Sequence, residues 1–272
     1  MGKYDNYLLV SDMDGTLLNS CHYVSEANRA AIKRFTVEGG RFCVATGRTP
    51  DNAAIFLDDV AINTSCIFFN GAMLYDYNNK MIMAEEVLRP EIWHKYIDLL
   101  LSKYPEICVQ VYSSDICYIV SNTPAKSPLI KKITYPFKFL RWQSIELVDW
   151  LKLMLIGETE SLCKARDEAE KMGLMNISNS FFSEPSFYEF VPANASKGHM
   201  LESLKALPEN KGRKVIAMGD YGNDNYMLQQ ADVGIASANA MPETKAAADM
   251  VGVSCDEDLI AYVIGLIDQG KI

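Results

Sequence analysis

The sequence predicts an α/β protein: a parallel-sheet core whose chain is interrupted by an inserted α+β module. Three observations predict it. Strand-length apolar runs at 7–10, 41–45, 65–69, 214–218 and 233–236 alternate with helical stretches, which is the rhythm of right-handed crossovers and a parallel sheet. Between 86 and 185 that rhythm gives way to a mixture of helices and alternating strands. After 185 it resumes. The expected organisation is a core made of residues 1–85 and 186–272, with 86–185 inserted as a second domain long enough for a core of its own.

The first run leads into Asp12-Met13-Asp14-Gly15-Thr16. Side chains two apart on an extended segment share a side. Asp12 and Asp14 are therefore expected to face one spot, where they repel unless one is neutralised or a cation sits between them. Ser25 can cap a helix to about 38, stopped by Gly39-Gly40. Residues 41–45 read as a second buried strand ending in Thr46-Gly47-Arg48, and Thr49-Pro50 opens the next helix. The third strand, 65–69, ends at Asn70-Gly71, and a hairpin turning at Asn78-Asn79 follows. In the insert, 90–104 is an amphipathic helix, and 107–111 pairs antiparallel with 116–120. A strand at 151–156, a helix at 160–172 and a strand at 187–190 complete the module. Ser196 then caps a helix through 207, residues 214–218 form a strand ending at Gly219-Asp220, and helices open at Asp224, Pro242 and Asp256.

Composition narrows the function. With 272 residues and 49% of them apolar, the chain can build a sizeable core. A formal net charge of -9 argues against a nucleic-acid or anionic-membrane partner. No apolar run approaches the ~20 residues of a membrane span. Seven cysteines are scattered singly with no Cys-x-x-Cys pair, as reduced core residues of a cytoplasmic protein would be. His22, His94 and His199 lie too far apart in sequence for metal-ligand spacing. The expectation is a cytoplasmic monomer.

Four strand ends carry polar residues: Asp12 with Asp14, Thr46, Asn70 and Asp220. Ligands of parallel α/β sheets bind at the carboxyl ends of strands. Gly219-Asp220-Tyr221-Gly222-Asn223-Asp224 adds two carboxylates and an amide in one loop. In order, Asp12-Met13-Asp14-Gly15-Thr16-Leu17, Ala45-Thr46-Gly47-Arg48, Ser196-Lys197-Gly198 and Gly219-Asp220-x-x-Asn223-Asp224-x-x-Met227 resemble the four motifs of the haloacid dehalogenase-like phosphatases, most closely their Cof-type branch. Asn70-Gly71-Ala72 and Gly234-Ile235-Ala236 with Asn239-Ala240 and Lys245-Ala246 are similar to that branch too. Ala238 departs from its usual Gly before Asn-Ala. The insert matches only in size and position, so specificity is not legible in it.

The resemblance implies a Rossmann-like core with a cap inserted between the second and third motifs, and a phosphatase of small phosphorylated metabolites, sugar phosphates above all. It implies that Asp12 attacks phosphorus and forms an aspartyl-phosphate, and that Asp14 passes the protons. Mg²⁺ would be held by Asp12, the Asp14 carbonyl and Asp220, with Asn223 and Asp224 orienting Lys197 or the metal's waters. Thr46 and Lys197 would hold phosphoryl oxygens, with Gly47, Arg48, Asn70 and Asn223 as further phosphate or substrate contacts. The physics agrees separately. A carboxylate is a nucleophile without a base, crowding beside Asp12 would raise the Asp14 pKa, and hard oxygen ligands suit Mg²⁺ better than the larger Ca²⁺.

Alternatives remain. A phosphomutase of the same superfamily would return the phosphoryl group to product rather than to water. A dehalogenase needs neither Asp14 nor a metal at Asp220. A non-catalytic small-molecule sensor on the same fold would be marked by loss of the nucleophile, whereas Asp12, Asp14, Lys197 and Asp220 all stand here. The stretch from Gly265 to Lys271 has the spacing of a phosphate-binding loop, but Ile272 stands where that loop requires Ser or Thr.

Overall fold

The computed structural model of the chain describes residues 2–114, 116–120, 136–142, 144 and 149–272. It forms two compact units, Met1–Ala84 with Ser196–Ile272, and Glu85–Ala195. In the first, β1 (Tyr7–Ser11), β2 (Arg41–Val44), β12 (Lys214–Gly219), β13 (Val233–Ala236) and β14 (Met250–Val251) make a parallel sheet ordered β14-β13-β12-β1-β2. Its central strands are apolar on both faces: Leu8, Leu9 and Val10, like Val215, Ile216, Ala217 and Met218, are buried. That is what a sheet covered on both sides demands. The helices are α1 (Glu26–Val37), α2 (Pro50–Leu57), α5 (Lys197–Ala206), α6 (Asn225–Gln230), α7 (Pro242–Ala247) and α8 (Leu259–Asp268). Helix α1 packs on α8 and α5 on α6. Ser25, Thr49 and Ser196 cap α1, α2 and α5, each accepting a backbone N–H three residues on.

The third strand departs from expectation. β3 (Cys66–Phe68) meets the parallel sheet through a single bridge, Ala45 to Ile67. Its ladder runs antiparallel instead with β4 (Met73–Asp76), in a three-stranded sheet completed by β5 (Met81–Glu85). The cause is the tight turn at 69–71, which folds the chain straight back on itself before any crossover can begin.

The second unit holds a six-stranded sheet ordered β10-β11-β9-β6-β7-β8, built from β6 (Cys108–Tyr112), β7 (Cys117–Ile119), β8 (Phe137–Phe139), β9 (Lys152–Ile156), β10 (Ser178–Glu184) and β11 (Phe187–Pro192). Val109, Val111, Leu153, Leu155, Tyr188 and Phe190 alternate along three strands and pack, on one face, with Trp93, Tyr96 and Ile97 of α3 (Pro90–Lys103) and Leu162 and Ala165 of α4 (Thr159–Lys171). The residues between them point the other way, and Gln110, Lys152 and Glu189 are buried there. The expected boundary at 185 falls inside a hairpin. β11 pairs with both β9 and β10, so the second unit continues to Ala195. β10 escaped sequence reading because it is a polar edge strand, only half buried, without apolar alternation.

Candidate active site

The sheet order brings two distant segments to one place. β1 and β12 are neighbours, with Ser11 opposite Met218. The Asp12 N–H extends the ladder by donating to the Met218 carbonyl at 2.9 Å. Beyond that point the chains leave the sheet side by side, and Asp12 and Asp220 emerge together. Gly15 has φ +80, and any Cβ there would strike the Asp220 carboxylate, so the turn both needs glycine's backbone and leaves no room for a side chain. Two residues that sequence reading left without a role brace it. Thr16, fully buried, donates its hydroxyl to Asp220 Oδ1 at 3.0 Å. Asn239 donates from Nδ2 to the Gly15 carbonyl at 2.8 Å. The signals for both were the hydroxyl that follows the Asp-x-Asp-Gly turn and the family-like Asn239-Ala240 pair.

Lys197 opens α5 and is 1% exposed, where an isolated lysine would be solvated. Its ammonium donates to Asp12 Oδ1 at 2.5 Å and to Asp224 Oδ1 at 2.7 Å. Asp224 Oδ2 accepts the backbone N–H groups of Asp220 and Tyr221 at 2.9 and 3.1 Å. Oxygens of Asp12, Asp220 and Asp224 lie within 4.8 Å of one another. Asp224, expected to orient Lys197 or the metal's waters, has both oxygens engaged and ties Lys197 to the Asp220 loop.

Two further pairs stand apart from this cluster. Asp14 does not crowd Asp12 as expected. β1 ends at Ser11, so the alternation of a strand does not reach Asp14, and its carboxylate turns to Arg48 in a two-pronged pair, Nε to Oδ2 at 2.7 Å and Nη2 to Oδ1 at 2.6 Å. The crowding of Asp12 comes from Asp220 and Asp224 instead. Asn223, also expected near the metal, donates from Nδ2 to Asn70 Oδ1 at 3.0 Å. Asn70 sits at φ +56 and donates its own N–H to the Thr46 carbonyl at 3.0 Å. A Cβ on Gly47 would come within 2.9 Å of the Asn70 amide, so the bare glycine lets the Asn70 side chain lie close against the loop. Thr46 is buried, and its hydroxyl accepts the Arg48 N–H at 3.1 Å.

Burial and charge explain the electrostatics. Burial pushes the Asp12 carboxyl well above the usual carboxylate range; Lys197 pulls it down, and Asp224 and Asp220 push it up again. The Asp220 carboxyl is pushed up to about 6, by burial first and then by Asp224. Burial works against the Lys197 charge, but Asp12 and Asp224 outweigh it and hold the ammonium protonated. Burial acts first on Asp12, and one ammonium does not balance three carboxylates beside it.

Comparisons with known proteins bear on the family and the fold. The family model of haloacid dehalogenase-like hydrolases matches residues 9–264. The 5-amino-6-(5-phospho-D-ribitylamino)uracil phosphatase YwtE of Bacillus subtilis is 27% identical over 288 residues, covering 96% of this chain and 97% of that protein. The crystal structure of a haloacid dehalogenase-like hydrolase from Bacteroides thetaiotaomicron superposes with a TM-score of 0.83 at 27% identity, covering 96% of this chain and 99% of the other. A Thermotoga maritima structure gives 0.83 at 25% identity, with 96% and 97% covered. With motifs, fold and family match in agreement across nearly the whole length, the chain belongs to the haloacid dehalogenase-like hydrolases and is an enzyme of their phosphatase kind.

Proposed function

We propose that the enzyme is a Mg²⁺-dependent phosphatase of small phosphorylated metabolites, sugar phosphates first among them, acting through an aspartyl-phosphate on Asp12. The observation that carries the reading is Asp12 itself: a buried carboxylate held by Lys197 at 2.5 Å, beside Asp220 and Asp224. Three carboxylates against one ammonium leave an excess of negative charge, and every donor is a hard oxygen. That set fits Mg²⁺. Asp12 and Asp220 would hold the ion, while Asp224 is kept by Lys197 and two backbone N–H groups. Once bound, Mg²⁺ would neutralise the cluster and polarise the phosphoryl group.

The chain's own residues supply the rest. An Asp12 oxygen attacks phosphorus, the bond from phosphorus to the ester oxygen breaks, and the leaving oxygen takes a proton from Asp14. Water then attacks the same phosphorus, the Asp12–phosphorus bond breaks, and Asp14 takes back the proton. Lys197 and Thr46 hold phosphoryl oxygens throughout, since this chemistry asks mainly for positioning and charge stabilisation. The substrate class is supported by the YwtE name, whose substrate carries its phosphate on a ribityl chain, and by the net charge of -9, which disfavours polyanions. The test measures phosphate release from hexose and pentose phosphates, nucleotides, a phosphopeptide and an oligonucleotide 5′-phosphate, with and without a chelator. Highest kcat/KM on a sugar phosphate, lost on chelation, is expected. Preference for the macromolecules, or full activity after exhaustive chelation, overturns the proposal.

A further inference from the structure

We infer that Arg48 is a positioning residue for Asp14: its guanidinium fork holds the proton-transfer carboxyl in place for both half-reactions. The inference rests on the phosphatase reading above. Three observations carry it. Both Asp14 oxygens accept from the Arg48 fork, at 2.7 and 2.6 Å, so the carboxyl is fixed at two points. Arg48 is itself fixed, by a third donated bond to Asn52 Oδ1 and by stacking over the Phe56 ring, 4.3 Å from its centroid. Asn52 and Phe56 both belong to α2, so the fork is aimed by a helix rather than by a loose loop. And the pair is partly in water, with the Arg48 side chain 21% and that of Asp14 46% exposed. The Asp14 carboxyl therefore faces open space that the leaving oxygen can enter while Arg48 holds it.

The test compares wild type, Arg48→Ala and Arg48→Lys with Mg²⁺ on two esters: the best sugar phosphate from the panel and p-nitrophenyl phosphate. Nitrophenolate leaves without a proton, so only the second half-reaction on that ester requires Asp14. A misplaced proton-transfer group costs on the order of 100-fold. Arg48→Ala should lose about that factor in kcat on the sugar phosphate while KM changes less than about threefold. On the aryl ester it should keep a stoichiometric burst of nitrophenolate and then turn over slowly. Arg48→Lys should recover only part of the loss, since a point charge cannot hold both oxygens. A KM raised about tenfold at unchanged kcat would make Arg48 a substrate holder and overturn the inference. So would equal losses in the burst rate and in turnover of the sugar phosphate, the sign of general damage. A wild type inert on every ester would instead remove the phosphatase reading, and the inference with it.

Discussion

In the second unit one buried lysine meets one buried carboxylate, Lys152 Nζ to Glu189 Oε2 at 3.2 Å, with Ser183 donating to Glu189 Oε1 at 2.7 Å and the Tyr112 ring 4.8 Å from the ammonium. In the first unit one buried lysine, Lys197, stands among three carboxylates. Both arrangements carry the cost of taking charge out of water. Among the groups named, the second unit sets one ammonium against one carboxylate, and the first sets one against three. The comparison teaches where to look for chemistry: burial of charge alone does not mark a site, whereas an imbalance that the protein's own residues leave uncorrected calls for a cation.

Four predictions test that contrast. The largest effect is expected from Asp12→Asn, which removes the nucleophile and one excess charge together. Phosphate release should fall at least about 10⁴-fold. The thermal midpoint should hold or rise, because burial, Asp224 and Asp220 together outweigh Lys197 and disfavour the ionised Asp12. Residual activity within tenfold of wild type in a pure preparation would refute the nucleophile assignment.

In the second unit, Lys152→Met should destabilise by about 3 kcal/mol, since a lone buried carboxylate remains. Lys152→Met with Glu189→Leu should recover most of that loss. Denaturant unfolding measures both, and a cost for the single variant no larger than for the double would show the pair is not coupled.

Mg²⁺ comes next. It should raise the thermal midpoint of wild type, a stabilisation of about 2.7 kcal/mol at a hundredfold excess over Kd. Asp220→Asn should abolish the shift, whereas the Lys152/Glu189 double variant should keep it. An equal shift in all three proteins would place the cation elsewhere.

The smallest effect is in pH. A carboxyl raised on folding binds its proton more tightly in the native state, so its contribution is full below the unfolded value and is lost as pH rises through the folded one. For Asp220 that window runs from the ordinary 3.8 to about 6. Metal-free protein should lose stability across it; saturating Mg²⁺ or Asp220→Asn should flatten the slope. A metal-free profile that rises through the same window would contradict the crowding of the cluster.

Much of this was determined by the sequence alone, because it is local. Strand-length apolar runs, the caps at Ser25, Thr49 and Ser196, and the short motifs around Asp12, Thr46, Lys197 and Asp220 depend on neighbours a few residues away. What the tertiary structure decided is who meets whom. Thr16 and Asp220 bond across 204 positions because β1 lies beside β12, and no periodicity encodes a strand order. Asp14 was expected beside Asp12 and went to Arg48, because the strand stops one residue before Asp12. Asp224 was expected to orient Lys197 or the metal's waters, and the fold gives it Lys197. The second unit runs on to Ala195 because a hairpin finds its partner in β9, a pairing fixed by contacts far apart in the chain. Charge balance in the buried site follows from those meetings, and so it belongs to the fold rather than to any segment of the sequence.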